Sequence, residues 1–184
     1  MTARIPEPFS PEVRPSRFSH LVVKTADLKP MAAWYKTVLN AQPMYEDARV
    51  CFLTYDEEHH RIMIGEAPGA PPRDPAATGV AHFAYAFETF EQLVNVYLRL
   101  REEGILPKSC INHGFTTSLY YADPDGNEIE LAMDNQRDKE SMNEWFAKGG
   151  FDRNFVGVPF DPEEMVKLYR DGVELGPHYA GEYE

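Results

Sequence analysis

His113–Ala132, HGFTTSLYYADPDGNEIELA, reads as a β-hairpin, and its reading decides the fold. TTSLYYA is rich in Thr and Tyr, EIELA alternates acids with aliphatics, and Asp123-Pro124-Asp125-Gly126 between them is a turn. Pro124 presets φ, and Gly126 supplies the left-handed residue that a three-residue loop with a bulge needs. A loop over residues 124–126 centres the pairing on Asp125, so Tyr120 faces Glu130 and Ser118 faces Ala132. Ile129 and Leu131 then share one face, and Glu128 and Glu130 alternate to the other. A carboxylate and a phenol come to lie side by side. A one-residue slip would put Tyr121 in place of Tyr120, and a solvated hairpin face gives the same pattern; the hairpin alone leaves both open.

Working outward, the chain contains an internal repeat. Phe18–Lys24, FSHLVVK, reads as a strand, Asp27 as an N-cap, and Leu28–Leu39 as a helix with a stripe of Leu28, Met31, Ala32, Tyr35 and Leu39. PMYED, the β segment Arg49–Tyr55 and a short strand His60–Gly65 complete a β-α-β-β-β order. Gly65–Gly79 is a Pro/Gly/Ala linker, after which the order restarts. VAHFAYAF is a strand, and Thr89 with Gln92 forms a capping box. Phe90, Leu93, Val94, Tyr97 and Leu100 form the helical stripe, and Gly104 ends the helix. His20 and His82 are 62 residues apart, and the same offset superposes Leu28 on Phe90, Met31 on Leu93 and Tyr35 on Tyr97. The prediction is an α+β fold of two tandem βαβββ modules, 17–66 and 79–134, joined by linker 67–78. Together they form a cupped, barrel-like mixed sheet, a single catalytic domain over 17–134.

Residues 1–16, with Pro6, Pro8, Pro11 and Pro15, predict an extended arm. Residues 135–184 form a helical C-terminal extension. Helices are expected over Arg137–Lys148 and from the Asp161-Pro162-Glu163-Glu164 start to about Asp171. Aromatic FDRNFVGVPF between them is expected to pack on the core or over the cup mouth. The 184 residues, 43% hydrophobic and 12% aromatic, suffice for a packed globule. A formal net charge of −12 argues against nucleic acid, and no apolar run approaches a membrane span, so a cytoplasmic protein is expected. Cys51 and Cys110 form no CxxC pair and read as small buried hydrophobes.

Alternation puts Phe18, His20 and Val22 on one face of the first strand and His82, Ala84 and Ala86 on one face of its counterpart. The small neighbours of His82 leave room in the cup. With Glu130, two imidazoles and a carboxylate on rigid strands suit a divalent first-row metal with coordination sites left open. A lone histidine on an apolar strand is usually a core residue; two at repeat-equivalent positions with an inward Glu favour a metal. Met63 is about the counterpart of Glu130 and a poor ligand, which keeps the site open. Alternation within His60–Gly65, however, puts His60 with Ile62 and Ile64, opposite Met63. His59 beside Glu57 and Glu58 is expected to face solvent, and His178 to be without a role.

The repeat with His20, His82 and Glu130 resembles the vicinal oxygen chelate superfamily over roughly residues 17–134, and most of all its type I extradiol ring-cleavage dioxygenases. FLTYDEEHHRIMIG resembles their segment with a distal catalytic histidine, which implies His60. NHGFTTSLYYADPDGNEIEL resembles their segment carrying a supporting His, an active-site Tyr and the metal Glu, which implies His113, Tyr120 and Glu130. The resemblance implies Fe(II), with Mn(II) able to substitute, a catecholic substrate and O2, in aromatic compound catabolism. A homo-oligomer is compatible with it. The chain departs from the larger enzymes in lacking room for a degenerate tandem domain, in its long linker and in a shorter His113-to-Tyr120 interval. A glyoxalase-like isomerase, a thiol transferase or a bleomycin-resistance-like binding protein is the alternative; Met63, His60 and Tyr120 favour the dioxygenase.

Overall fold

The computed structural model describes residues 13–136 and 138–173; most of the predicted N-terminal arm, and His178, lie outside the described residues. The first module runs β1 (Leu21–Thr25), α1 (Leu28–Leu39), β2 (Gln42–Glu46), β3 (Val50–Thr54) and β4 (Ile62–Glu66). The second runs β5 (His82–Phe87), α2 (Phe90–Glu102), β6 (Ser109–Asn112), β7 (Thr116–Ala122) and β8 (Glu128–Asp134). Their sheets have matching strand orders, β1-β4-β3-β2 and β5-β8-β7-β6, with the last strand of each module parallel to the first. The two sheets are separately hydrogen-bonded. Register makes the repeat concrete: Val22 pairs with Met63, and Ala84, its equivalent 62 residues on, pairs with Glu130. Met63 is therefore the structural counterpart of Glu130.

Both helices bury the predicted stripes, with Val38 in place of Leu39 on α1. Burial follows from an apolar face at helical spacing packed on strands whose alternate residues are apolar. Leu21 and Val23 of β1, Cys51 and Leu53 of β3, and Ile62 and Ile64 of β4 join Leu119, Tyr121, Ile129 and Leu131 of the hairpin in one core. Thr89 makes the capping box as predicted, and Gly104 has a φ of 73°. Asp27 does not cap α1 with its side chain; its backbone N–H instead donates to Thr25 Oγ1 at 3.2 Å. Arg99 of α2 donates to the carbonyls of Thr37 and Val38, satisfying two of the open acceptors at the end of α1.

The hairpin turn also ties the modules together. Asp123 is buried and accepts from the backbone N–H of Asp125 and Asn127, from Asn127 Nδ2 and from the Tyr35 hydroxyl, at 2.8–3.1 Å. Burial, with the nearby Asp123 charge, holds that hydroxyl far above the ordinary tyrosine range, so Tyr35 is a donor at any working pH. Asp123→Ala strands the buried Tyr35 hydroxyl and three part-buried N–H donors at once and is expected to cost about 2–4 kcal/mol in urea unfolding, well above Tyr35→Phe. An unchanged midpoint would mean that the turn and the module contact hold without it.

The extension is not purely helical. Among the described residues it comprises α3 (Lys139–Ala147), α4 (Gly150–Arg153), β9 (Val158–Pro159) and α5 (Pro162–Arg170), and β9 adds a fifth strand to the second sheet beside β6. Met165 and Val166 of α5 are buried, and Glu163 accepts from the Tyr97 hydroxyl at 2.6 Å and Arg101 Nη1 at 2.7 Å, docking α5 on α2. Among the described residues no helix is long and apolar enough to cross a membrane.

Candidate active site

Glu130 is the centre of the site. Its strand lies between β5 and β7, pairing with Ala84 on one side and Tyr120 on the other, as the turn chemistry predicts. Tyr121 instead pairs with Ile129 and is fully buried on the opposite face, which removes the slipped register. Glu130 is only 8% exposed. A carboxylate so placed needs partners. His82 Nε2 lies 3.0 Å from its Oε2, and the Tyr120 hydroxyl donates to its Oε1 at 3.1 Å. His113 Nε2 lies 2.9 Å from the same hydroxyl. His82, Glu130, Tyr120 and His113 thus form one continuous polar run. Burial, then the Glu130 charge, raises the Tyr120 phenol well above its ordinary range, so it enters the run protonated.

His113 stands just past β6, in the bend that leads to β7. Gly114, with φ of 84°, donates to Asn112 Oδ1 at 2.8 Å. Asn135 Nδ2 donates to Asn112 Oδ1 and the Gly114 carbonyl, both at 3.1 Å, and Thr117 Oγ1 donates to Asn135 Oδ1 at 2.7 Å. This part-buried amide network fixes the loop under His113. Sequence reading misses it, because Asn112 and Asn135 are 23 positions apart with no spacing signal.

The first module presents a separate pair. His20 immediately precedes β1, and its ring lies 4.4 Å from that of His60. His60 also meets Phe52 edge-on at 5.0 Å. Placing His60 inside a strand that starts at residue 60 is a reading the structure corrects. β4 begins at Ile62, so strand alternation does not reach His60, and its conflict with Met63 disappears. Thr54 Oγ1 donates to the Glu58 carbonyl at 2.8 Å and holds the preceding loop. Arg61, which sequence reading also misses, is bound by Asp56 and donates to the carbonyls of Phe18 at 2.6 Å and Ser19 at 3.1 Å. It thereby fastens the His20 segment to the His60 loop. Burial, then His20 and His59, lowers the His60 pKa from the ordinary histidine value. His59 itself is exposed and pairs with Glu58, as expected.

The two groups are not merged. Among the described residues, no three His, Cys, Asp or Glu side chains gather into a set that could hold a metal ion. His82 and Glu130 are in contact, whereas His20 lies against His60. A cleft of about 380 Å³ marks the seam between the modules, where Phe18, Leu21 and Arg61 of the first face His82, Ala84 and Tyr85 of the second. By donor chemistry the residues fit a divalent first-row ion: two imidazoles and a buried carboxylate that His82 and Tyr120 already orient.

The pattern of the glyoxalase/bleomycin resistance protein/dioxygenase superfamily matches residues 17–131. Biphenyl-2,3-diol 1,2-dioxygenase 3 of Rhodococcus globerulus is 42% identical over 159 residues, covering 85% of this chain and 84% of that protein. Biphenyl-2,3-diol 1,2-dioxygenase 2 of the same organism is 46% identical over 147 residues, covering 79% and 77%. Among solved structures, the glyoxalase/bleomycin resistance protein/dioxygenase of Alicyclobacillus acidocaldarius aligns with a TM-score of 0.55 at 17% identity, over 70% of this chain and 98% of that one. That last likeness is one of fold. Sequence pattern, repeat and close relatives agree, and the chain belongs to the glyoxalase/bleomycin resistance protein/dioxygenase superfamily.

Proposed function

We propose that the protein is an extradiol dioxygenase, opening the ring of a catechol beside its two hydroxyls with O2. The observation that carries this is identity of 42% and 46% to two biphenyl-2,3-diol 1,2-dioxygenases over about four-fifths of the chain. The polar run through Glu130 supports a reading in which the reaction takes place there. His82 and Glu130 of the second module and His20 of the first would hold the metal. Fe(II), or Mn(II) in its stead, would supply Lewis acidity and one-electron redox chemistry between a catecholate and O2.

The other roles belong to side chains. Tyr120 is a phenol donor fixed between Glu130 and His113, and it would hydrogen-bond a substrate oxygen once the ring is seated. His113 would hold that phenol in place; its own position is set by the Asn112–Asn135 network. His60, held by Phe52 and His20, would pass a proton to and from the oxygen side of the reacting ring. Ala84 and Ala86, small and exposed beside His82 on β5, would leave room for a planar ligand.

The test is anaerobic loading with Fe(II), addition of catechol, then admission of O2. A yellow ring-opened product is expected, with one O2 consumed per product. Loaded protein that binds catechol and returns it unchanged, or only as quinone, would overturn the reading.

A further inference from the structure

The C-terminal extension lies outside both modules, yet β9 is laid along the strand that leads into His113. Val158 pairs with Asn112 and Pro159 with Ile111, and the Phe160 N–H donates to the Cys110 carbonyl at 3.1 Å. The repeat supplies a comparison within the molecule. β2 is the counterpart of β6, and among the described residues no strand pairs with its outer edge. The turn after β2 is closed by its own Asp47, whose Oδ1 accepts from the N–H groups of Arg49 and Val50 at 2.7 and 2.9 Å. The turn after β6 carries His113, and this is the one that the extension braces.

The contact is closest at Gly157, which is buried and has a φ of 96°. A Cβ there would stand 2.5 Å from the Asn112 carbonyl oxygen, 2.8 Å from Ile111 Cγ2 and 2.9 Å from His113 Cα. Glycine alone tolerates both that conformation and that approach. Asn154 fixes the turn that delivers it. Its Oδ1 accepts from the N–H of Val156 at 3.2 Å and of Gly157 at 2.9 Å, and its Nδ2 donates to the Gly157 carbonyl at 3.1 Å. Past Gly114 the loop is held again, by the Trp145 and Phe146 rings of α3 at 5.5 and 5.4 Å from that of Phe115. His113 stands between these two holds, with its Nε2 2.9 Å from the Tyr120 hydroxyl. Any Cβ at position 157 must push His113 away, and a shift of about half an ångström carries that hydrogen bond past the ~3.2 Å at which it weakens.

We propose that Gly157 is a positioning residue: through its contact the extension sets the place of His113, and through His113 the direction of the Tyr120 hydroxyl. Side chains that act on a substrate need support from a shell that locks them, and here that shell comes from outside the two modules. The kinetic consequence rests on the ring-cleavage reading. The placing of His113 does not, because it is a property of the metal-free protein.

The test uses Gly157→Ala and the milder Asn154→Ala, each alone and combined with His113→Ala, with circular dichroism to check folding. In Fe(II)-loaded enzyme Gly157→Ala is expected to lower kcat for catechol by roughly 10- to 100-fold, the scale of a small misplacement imposed from outside the site, with metal content unchanged. Asn154→Ala should act in the same direction and more weakly, and it carries the cycle if Gly157→Ala does not fold. In the His113→Ala background neither should cost anything further, since the residue through which they act is gone. A full additional loss there would overturn the proposal and leave the extension a stabilising element only, as would wild-type kcat in Gly157→Ala. Nitrogen NMR of the metal-free full chain, labelled at histidine, gives the second readout. The His113 ring signal, identified by its loss in His113→Ala, should move in both variants while those of His20 and His82 hold. An unmoved His113 signal overturns the proposal. Wild-type enzyme that cleaves no catechol would refute ring cleavage itself, and the NMR comparison then still decides whether Gly157 places His113.

Discussion

Glu130→Ala is expected to empty the site and abolish turnover. The carboxylate is buried, receives the Tyr120 hydroxyl on one oxygen and touches His82 with the other. Groups that merely orient a metal ligand are worth about 10- to 100-fold in metal affinity, so removal of the ligand itself should exceed about 10²-fold. Elemental analysis after anaerobic Fe(II) loading reads this directly, without reference to activity. His20→Ala is the more searching companion, because in the chain His20 lies against His60 and not against Glu130. It should also lose metal. Full occupancy in Glu130→Ala would dissolve the ligand set, and full occupancy in His20→Ala would reduce His20 to a packing partner of His60.

His60→Phe is expected to separate chemistry from binding. Phenylalanine keeps a ring against Phe52 and His20 but cannot carry a proton. The variant should take up Fe(II) and bind catechol anaerobically as wild type does, while turnover with O2 falls by roughly 10²–10⁴-fold, the usual worth of a positioned proton donor. Wild-type turnover would remove His60 from the mechanism. Loss of iron would make it a ligand instead.

How far the sequence could be read depends on how local each feature is. The hairpin register, and with it the Tyr120–Glu130 pair, follows from Pro124 and Gly126, because turn chemistry and strand alternation act over a few residues. The helical stripes and the Met63–Glu130 equivalence are legible for the same reason, the second because a repeat carries its register with it. His60 is not legible by alternation. Its loop is set by Thr54, Asp56 and Arg61, whose side chains bond to backbone and to one another, and β4 starts at Ile62 rather than at His60. β9 escapes notice because a two-residue edge strand containing Pro159 has almost no pattern of its own. The relation of His20 to Glu130 is set by how the modules pack, which no local signal encodes.

The claim at the centre of this account is that both atoms of O2 enter a catechol ring opened beside its hydroxyls. The direct measurement is mass spectrometry of the ring-opened product formed by Fe(II)-loaded enzyme under ¹⁸O₂, quenched before the product can exchange with water. The account predicts two labelled oxygens in each product molecule. A ring-opened product carrying one label or none would contradict it.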